Sequence, residues 1–140
     1  INRNPIIQDP PEVTPPLSSL PSHYSPMKIA YAPEEFPQQG IFVAIFADGQ
    51  PLTQDLERQL PSGVMIVDPE TGKYDWFAKS KHKARAGRLG DGFKRAIDVK
   101  FSPDGKTLYV LDFGVWEFAD MAPSAIPKSG VLWEITPEEG

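Results

Sequence analysis

Four kinds of residue in this 140-residue chain could do chemistry. His23 sits in PSHYSP, just ahead of the first strand-like run. An imidazole titrates near neutral pH and suits a general base; the same lettering also reads as a turn histidine flanked by prolines. Between positions 79 and 95 stand Lys79, Lys81, Lys83, Arg85, Arg88, Lys94 and Arg95, half of the 14 basic residues. That local excess attracts an anion, and the guanidinium fork pairs well with carboxylates. A charge run also reads as a solvated loop. Arg95 and Lys94 stand apart from it because they immediately precede a strand and would emerge at its rim.

The remaining candidates are aspartates and tryptophans. Asp98 and Asp112 flank the hairpin AIDVKFSPDGKTLYVLDFG at its entry and exit. Oxygen ligands in sixes to eights suit calcium, but no Asp-x-Asp-x-Asp-Gly loop occurs, so backbone hydrogen bonding is the favoured reading for both. Trp76 and Trp133 alternate within strands and read as packing. Trp116, in the looser stretch GVWEFADMAPSAIP, is the aromatic residue available to stack on a sugar ring. His82, inside KSKHKAR, reads as solvated. No Walker loop, dinucleotide-binding glycine motif, His-Glu-x-x-His or nucleophile elbow is present.

Composition sets the frame that must hold these residues. Sixteen prolines and 11 glycines break helices, so strands and loops are expected. There is no cysteine, which removes disulfides and thiolate metal sites. A net charge of -5 and a pI near 5.0 argue against a nucleic-acid partner. No run approaches the ~18 consecutive apolar residues of a membrane helix, so no membrane partner is expected either. The chain starts at Ile1 without a methionine or a recognisable signal peptide, and the expectation is a piece of a longer protein.

Residues 1–26 are proline-rich and aperiodic, an irregular lead-in. From Met27 the runs MKIAYAP, GIFVAIFADG, GVMIVDPETG and KYDWFAK follow, each closed by Pro, Asp or Gly, as antiparallel strands with tight turns are. Three of the four recur. Lys28, Ile29, Tyr31 and Pro33 match Asp98, Val99, Phe101 and Pro103 at a constant offset of 70; Ile41, Phe42, Val43 and Phe46 match Leu108, Tyr109, Val110 and Phe113 at 67. Gly63, Val64 and Met65 match Gly130, Val131 and Leu132, also at 67, and Gly72 matches Gly140 at 68. The unit therefore occurs over 27–79 and 96–140, joined by a basic loop at 80–95. The second copy stops before its fourth strand. Tandem four-stranded antiparallel units are blades of a β-propeller; a small β-sandwich would use the same strands. Asp104 and Gly105 supply the hairpin turn, glycine accepting a positive φ.

The stretches LPSHYSPMKIAYAPEEFPQQGIFVAIFADG, GDGFKRAIDVKFSPDGKTLYVLDFG and SGVLWEITP resemble the closing blades of the glucose/sorbosone dehydrogenase family, relatives of the soluble quinoprotein sugar dehydrogenases, over about residues 20–137. The chain departs from the family pattern at Ala44 to Gln50, at Ala96 and at Glu134. The resemblance implies an all-β six-bladed propeller, a periplasmic or secreted setting, and pyrroloquinoline quinone with Ca²⁺ as cofactors. It implies oxidation of a sugar or alcohol hydroxyl, with His23 as the catalytic base and Arg95 and Lys94 holding the quinone's carboxylates. Trp116 is the substrate candidate, and no residue is assigned to a metal.

Two blades cannot close a ring, so further blades or self-association are expected as partners, and the chain alone should not be a competent enzyme. Three copies of two blades would make a six-bladed ring. The rival readings are a non-catalytic propeller module that binds protein or carbohydrate, and a propeller lactonase, for which no acidic metal ligands are evident.

Overall fold

The computed structural model describes residues 14–47, 61–81, 92–119 and 122–138. Within them the chain is all-β, with no helix. The first sheet takes β1 (Pro26–Tyr31), β2 (Ile41–Ile45), β3 (Gly63–Val67) and β4 (Tyr74–Lys79) in sequence order, each antiparallel to the next. The second takes β5 (Ala96–Phe101), β6 (Leu108–Asp112) and β9 (Val131–Ile135). Between β6 and β9 lies a separate ribbon of β7 (Trp116–Ala119) and β8 (Ala122–Ala125). That ribbon corrects the reading of its sequence as a loose insertion. Pro123 lacks the N–H that a central strand requires, which hid the pairing, and a two-stranded ribbon is all edge and tolerates it.

The turns follow from local hydrogen bonding. In Asp68–Gly72, the Asp68 carboxylate accepts the N–H groups of Glu70 (2.8 Å) and Thr71 (2.9 Å), and Gly72 turns with φ 69°. In Ser102–Thr107, Gly105 at φ 73° donates to the Ser102 carbonyl at 2.9 Å, while the Ser102 hydroxyl donates to Asp104 at 2.6 Å. The corresponding first-sheet turn is three residues longer and uses them to tuck Phe36 into the core.

The two sheets repeat one register. Pro26 opposite Ile45, Ile29 opposite Val43 and Tyr31 opposite Ile41 become Ala96 opposite Asp112, Val99 opposite Val110 and Phe101 opposite Leu108. A bulge follows the first pair in both sheets. The third strand needs a correction. Gly63 faces Ile45, and its counterpart facing Asp112 is Val131, so the offset across this strand is 68 and not 67. Matching the glycines misled: Gly130 lies outside β9, and a one-residue slip would send Trp133 and Ile135 to the other face.

The main core lies between the sheets. Phe42, Ala44 and Val64 of the first meet Val99, Leu108 and Val110 of the second, with Phe36 and Phe93 closing the sides. Phe36, Phe42, Phe77 and Phe101 pack edge to face or tilted at 4.8–6.1 Å. Complete burial of a side chain such as Phe42 contributes roughly 1.5–3 kcal/mol. A second core covers the outer face of the first sheet, where Val43, Ile45, Met65 and Val67 lie beneath Leu20 and Tyr24 of the lead-in.

Candidate functional site

Pairing places Pro26, Ile45, Gly63 and Lys79 along one end of the first sheet, and Ala96, Asp112 and Val131 along one end of the second. The Ser62 hydroxyl shows that these ends coincide. It donates to the Ile45 carbonyl (2.9 Å) and accepts the Ala96 N–H (3.0 Å), while the Ser62 carbonyl accepts the Ser80 N–H (2.9 Å). The strand ends joined by the connections 46–62, 80–95 and 113–130, and the end of the lead-in, lie here. The opposite end carries the turns 32–40, 68–73 and 102–107, with the lead-in residues Pro16–Ser19 lying beside the second of them.

His23, Lys94, Arg95 and Trp116 all belong to the loop-rich end. His23 is exposed and has φ 68°, with Ser25 also positive at 47°. Such values are uncommon for residues with a Cβ. The turn hangs on the first sheet through N–H groups of Phe46 and Ala47, donated to the carbonyls of Ser25 (3.2 Å) and Tyr24 (3.0 Å). Phe46 also carries the next member of the cluster. The Arg95 guanidinium carbon lies 5.6 Å from its ring centroid, within cation–π range. The Phe46 ring packs in turn against Phe113, its counterpart in the repeat, at 6.3 Å.

Asp112 fixes the backbone beneath the cations. Its carboxylate accepts N–H groups from Lys94 (2.7 Å), Arg95 (2.9 Å) and Gly114 (2.8 Å), and the Phe113 N–H donates to the Arg95 carbonyl (2.8 Å). This is the structural role expected of Asp112. Asp98 makes a smaller version of it, accepting the Val99 N–H at 2.8 Å. Lys94 and Arg95 are both buried, Arg95 to 7% exposure, so neither projects freely from the rim as anticipated. The stack on Phe46 draws the guanidinium inward. Trp116 opens β7 opposite Ala125. Trp76 packs on Tyr24 at 5.7 Å and Trp133 on Phe93 at 5.5 Å, each half-buried against one of the two cores.

Three residues central to this end escaped the sequence reading: Ser62, Phe46 and Ser129, whose hydroxyl accepts the Val115 N–H (2.9 Å) and donates to the Ile126 carbonyl (2.7 Å). Only Phe46 left a signal, its match with Phe113. His82, Lys83, Arg85 and Arg88 lie outside the described residues. A shallow groove between Pro16–Ser19 and Thr71–Tyr74 is at the opposite end, away from all four candidates.

The donor chemistry suits the two implied cofactors unequally. An imidazole and two cations at one end are the right types for a polyanionic quinone. For calcium, no three of His, Cys, Asp or Glu gather among the described residues, and the Asp112 oxygens already face N–H donors. Comparison with protein-family models, curated proteins and solved structures finds no match to the chain.

Proposed function

We propose that the two sheets are blades of a β-propeller and that their loop-rich end forms part of a site where a sugar or alcohol is oxidised with pyrroloquinoline quinone, in a periplasmic or secreted protein. The supporting observation is the placement of His23, Lys94, Arg95 and Trp116 on one end, where the Phe46 N–H donates to the Ser25 carbonyl of the His23 turn and the Phe46 ring stacks under Arg95. In this reading the cations of Lys94 and Arg95 offset the quinone's carboxylate charge. His23 takes the proton from the substrate hydroxyl, and Trp116 is the residue assigned to the sugar ring. The quinone itself supplies a two-electron acceptor. Calcium has no donor set among the described residues and enters no step.

The test is a quinone titration followed by the absorbance of the bound cofactor. The wild-type protein is expected to bind, and Arg95→Ala, with Lys94→Ala beside it, to bind at least about tenfold more weakly, the loss typical of a charge-assisted pair. His23→Ala is expected to weaken binding as well. A wild-type protein that takes up no quinone would refute the reading. Binding unchanged in every variant would favour a non-catalytic module. The burial of Arg95 on Phe46, which needs no ligand, is the observation on that side.

A further inference from the structure

The outer faces of the two sheets carry a few strongly exposed apolar side chains: Ile29 (68%) and Tyr31 (65%) on β1, Leu111 (43%) on β6 and Leu132 (64%) on β9. The repeat gives each a counterpart. Ile29 corresponds to Val99 and Tyr31 to Phe101, both turned into the contact between the sheets; Leu111 corresponds to Ala44 and Leu132 to Val64, both buried on the other side of that contact. Every one of the four exposed residues therefore occupies a position that is interfacial in the other copy of the unit. The exposed β1 positions match what the second sheet presents to the first. The exposed β6 and β9 positions match what the first sheet presents to the second.

We propose that the Leu111/Leu132 face of one molecule packs on the Ile29/Tyr31 face of a second copy of this chain, repeating between molecules the part of the internal contact that β5 makes within one. The aromatic pair at the centre of the internal contact supports this occupant. Phe42 meets Phe101 at 5.2 Å, and the counterparts across the new contact are Tyr109 and Tyr31. Both replacements keep the ring and add a hydroxyl, which suits a surface that is wet in the free molecule and packed in the assembly. Lys100 and Glu134 stand where Ala30 and Ile66 pack in the first sheet, flank Tyr109 on its two sides and bring a pair of opposite charges into this face.

The lead-in confines this contact to β1, because Val43, Met65 and Val67, the counterparts of Val110, Trp133 and Ile135, already lie beneath it. Leu20 and Tyr24 cover the β2–β4 part of the first sheet's outer face and leave β1 open. Within the molecule, β5 lies chiefly on β1 and β2. Its counterpart β1 is the strand required to reach the next copy. Two different faces meet, so the contact is heterologous and propagates until a ring closes. At two sheets per copy, rings of the usual four to eight blades correspond to roughly two to four copies.

Sedimentation velocity over a concentration series tests this on the chain itself. Wild type is expected to associate reversibly. Tyr31→Lys and Leu132→Lys, each changing an exposed position on one face only, are expected to sediment as monomers, with Ile29→Lys as a second variant of the β1 face. An equimolar mixture of Tyr31→Lys and Leu132→Lys is expected to form a heterodimer and stop there, one intact face from each meeting the other. Near-UV circular dichroism confirms that each variant is folded. A wild type that stays monomeric throughout, a single-face variant that associates like wild type, or a mixture that gives no heterodimer each overturns the inference. The contact rests on the repeated sheets and not on the quinone, so a monomer that binds quinone removes the assembly alone.

Discussion

The Asp112 carboxylate accepts the backbone N–H of Arg95 at 2.9 Å from 17 positions further along the chain, and so the exit of one strand fixes the entry of its neighbour. Two more N–H groups, of Lys94 and Gly114, share the same carboxylate. Asp112→Ala is expected to cost about 3 kcal/mol or more, since hydrogen bonds to a buried charged group are the stronger kind and three donors lose their acceptor together. Urea unfolding measures it. A loss below about 0.5 kcal/mol would show that the 92–95 segment is held by other contacts.

Ser62 has the same standing between the sheets. Its hydroxyl lies on the Ile45 carbonyl and under the Ala96 N–H, 34 residues away in sequence. Ser62→Ala leaves that N–H buried without this acceptor, and a cost of about 1–3 kcal/mol is expected. A neutral result in denaturant titration would contradict the bridging role.

Phe42 touches Phe36, Phe77 and Phe101 at 4.8–5.6 Å and is fully buried. Phe42→Ala is expected to cost about 3–5 kcal/mol, through lost burial and the cavity left behind. Phe42→Leu, which keeps most of the volume, should cost clearly less in the same unfolding experiment.

Acid sensitivity follows from two turns. The N–H groups of Thr71 and then Glu70 hold the Asp68 carboxyl below its ordinary range, and the Ser102 hydroxyl and then the Lys106 N–H do so for Asp104. A carboxyl whose folded pKa is depressed stabilises the fold above the unfolded value, near 3.9, and that contribution is lost as pH falls through the folded value. The unfolding midpoint is therefore expected to drop below about pH 4. The double variant Asp68→Asn, Asp104→Asn should show a shallower drop. Parallel acid limbs in the two proteins would contradict the assignment.

Much of this architecture is legible in the letters. The strand runs, the Asp104–Gly105 turn and the recurrence of the first two strands rest on alternation and turn chemistry, both local properties, and the sheets keep that register. The third strand slipped by one because glycines were matched where strand faces decide. Ser62 was invisible: one buried hydroxyl joining positions 45 and 96 leaves no periodicity. The candidate site was legible in placement and not in exposure. Its residues share one end, but the burial of Arg95 depends on Phe46, 49 positions away, and only the packed structure shows it.

One β-unit occurs twice in a single register, and both the common end of the candidate residues and the assembly contact derive from it. Nuclear Overhauser measurements on the folded chain test it most directly. Cross-peaks are expected between the rings of Phe42 and Phe101, 5.2 Å apart at their centroids, together with cross-strand contacts that place Val110 opposite Trp133. Contacts placing Val110 opposite Leu132, or no contact between the Phe42 and Phe101 rings, would contradict it.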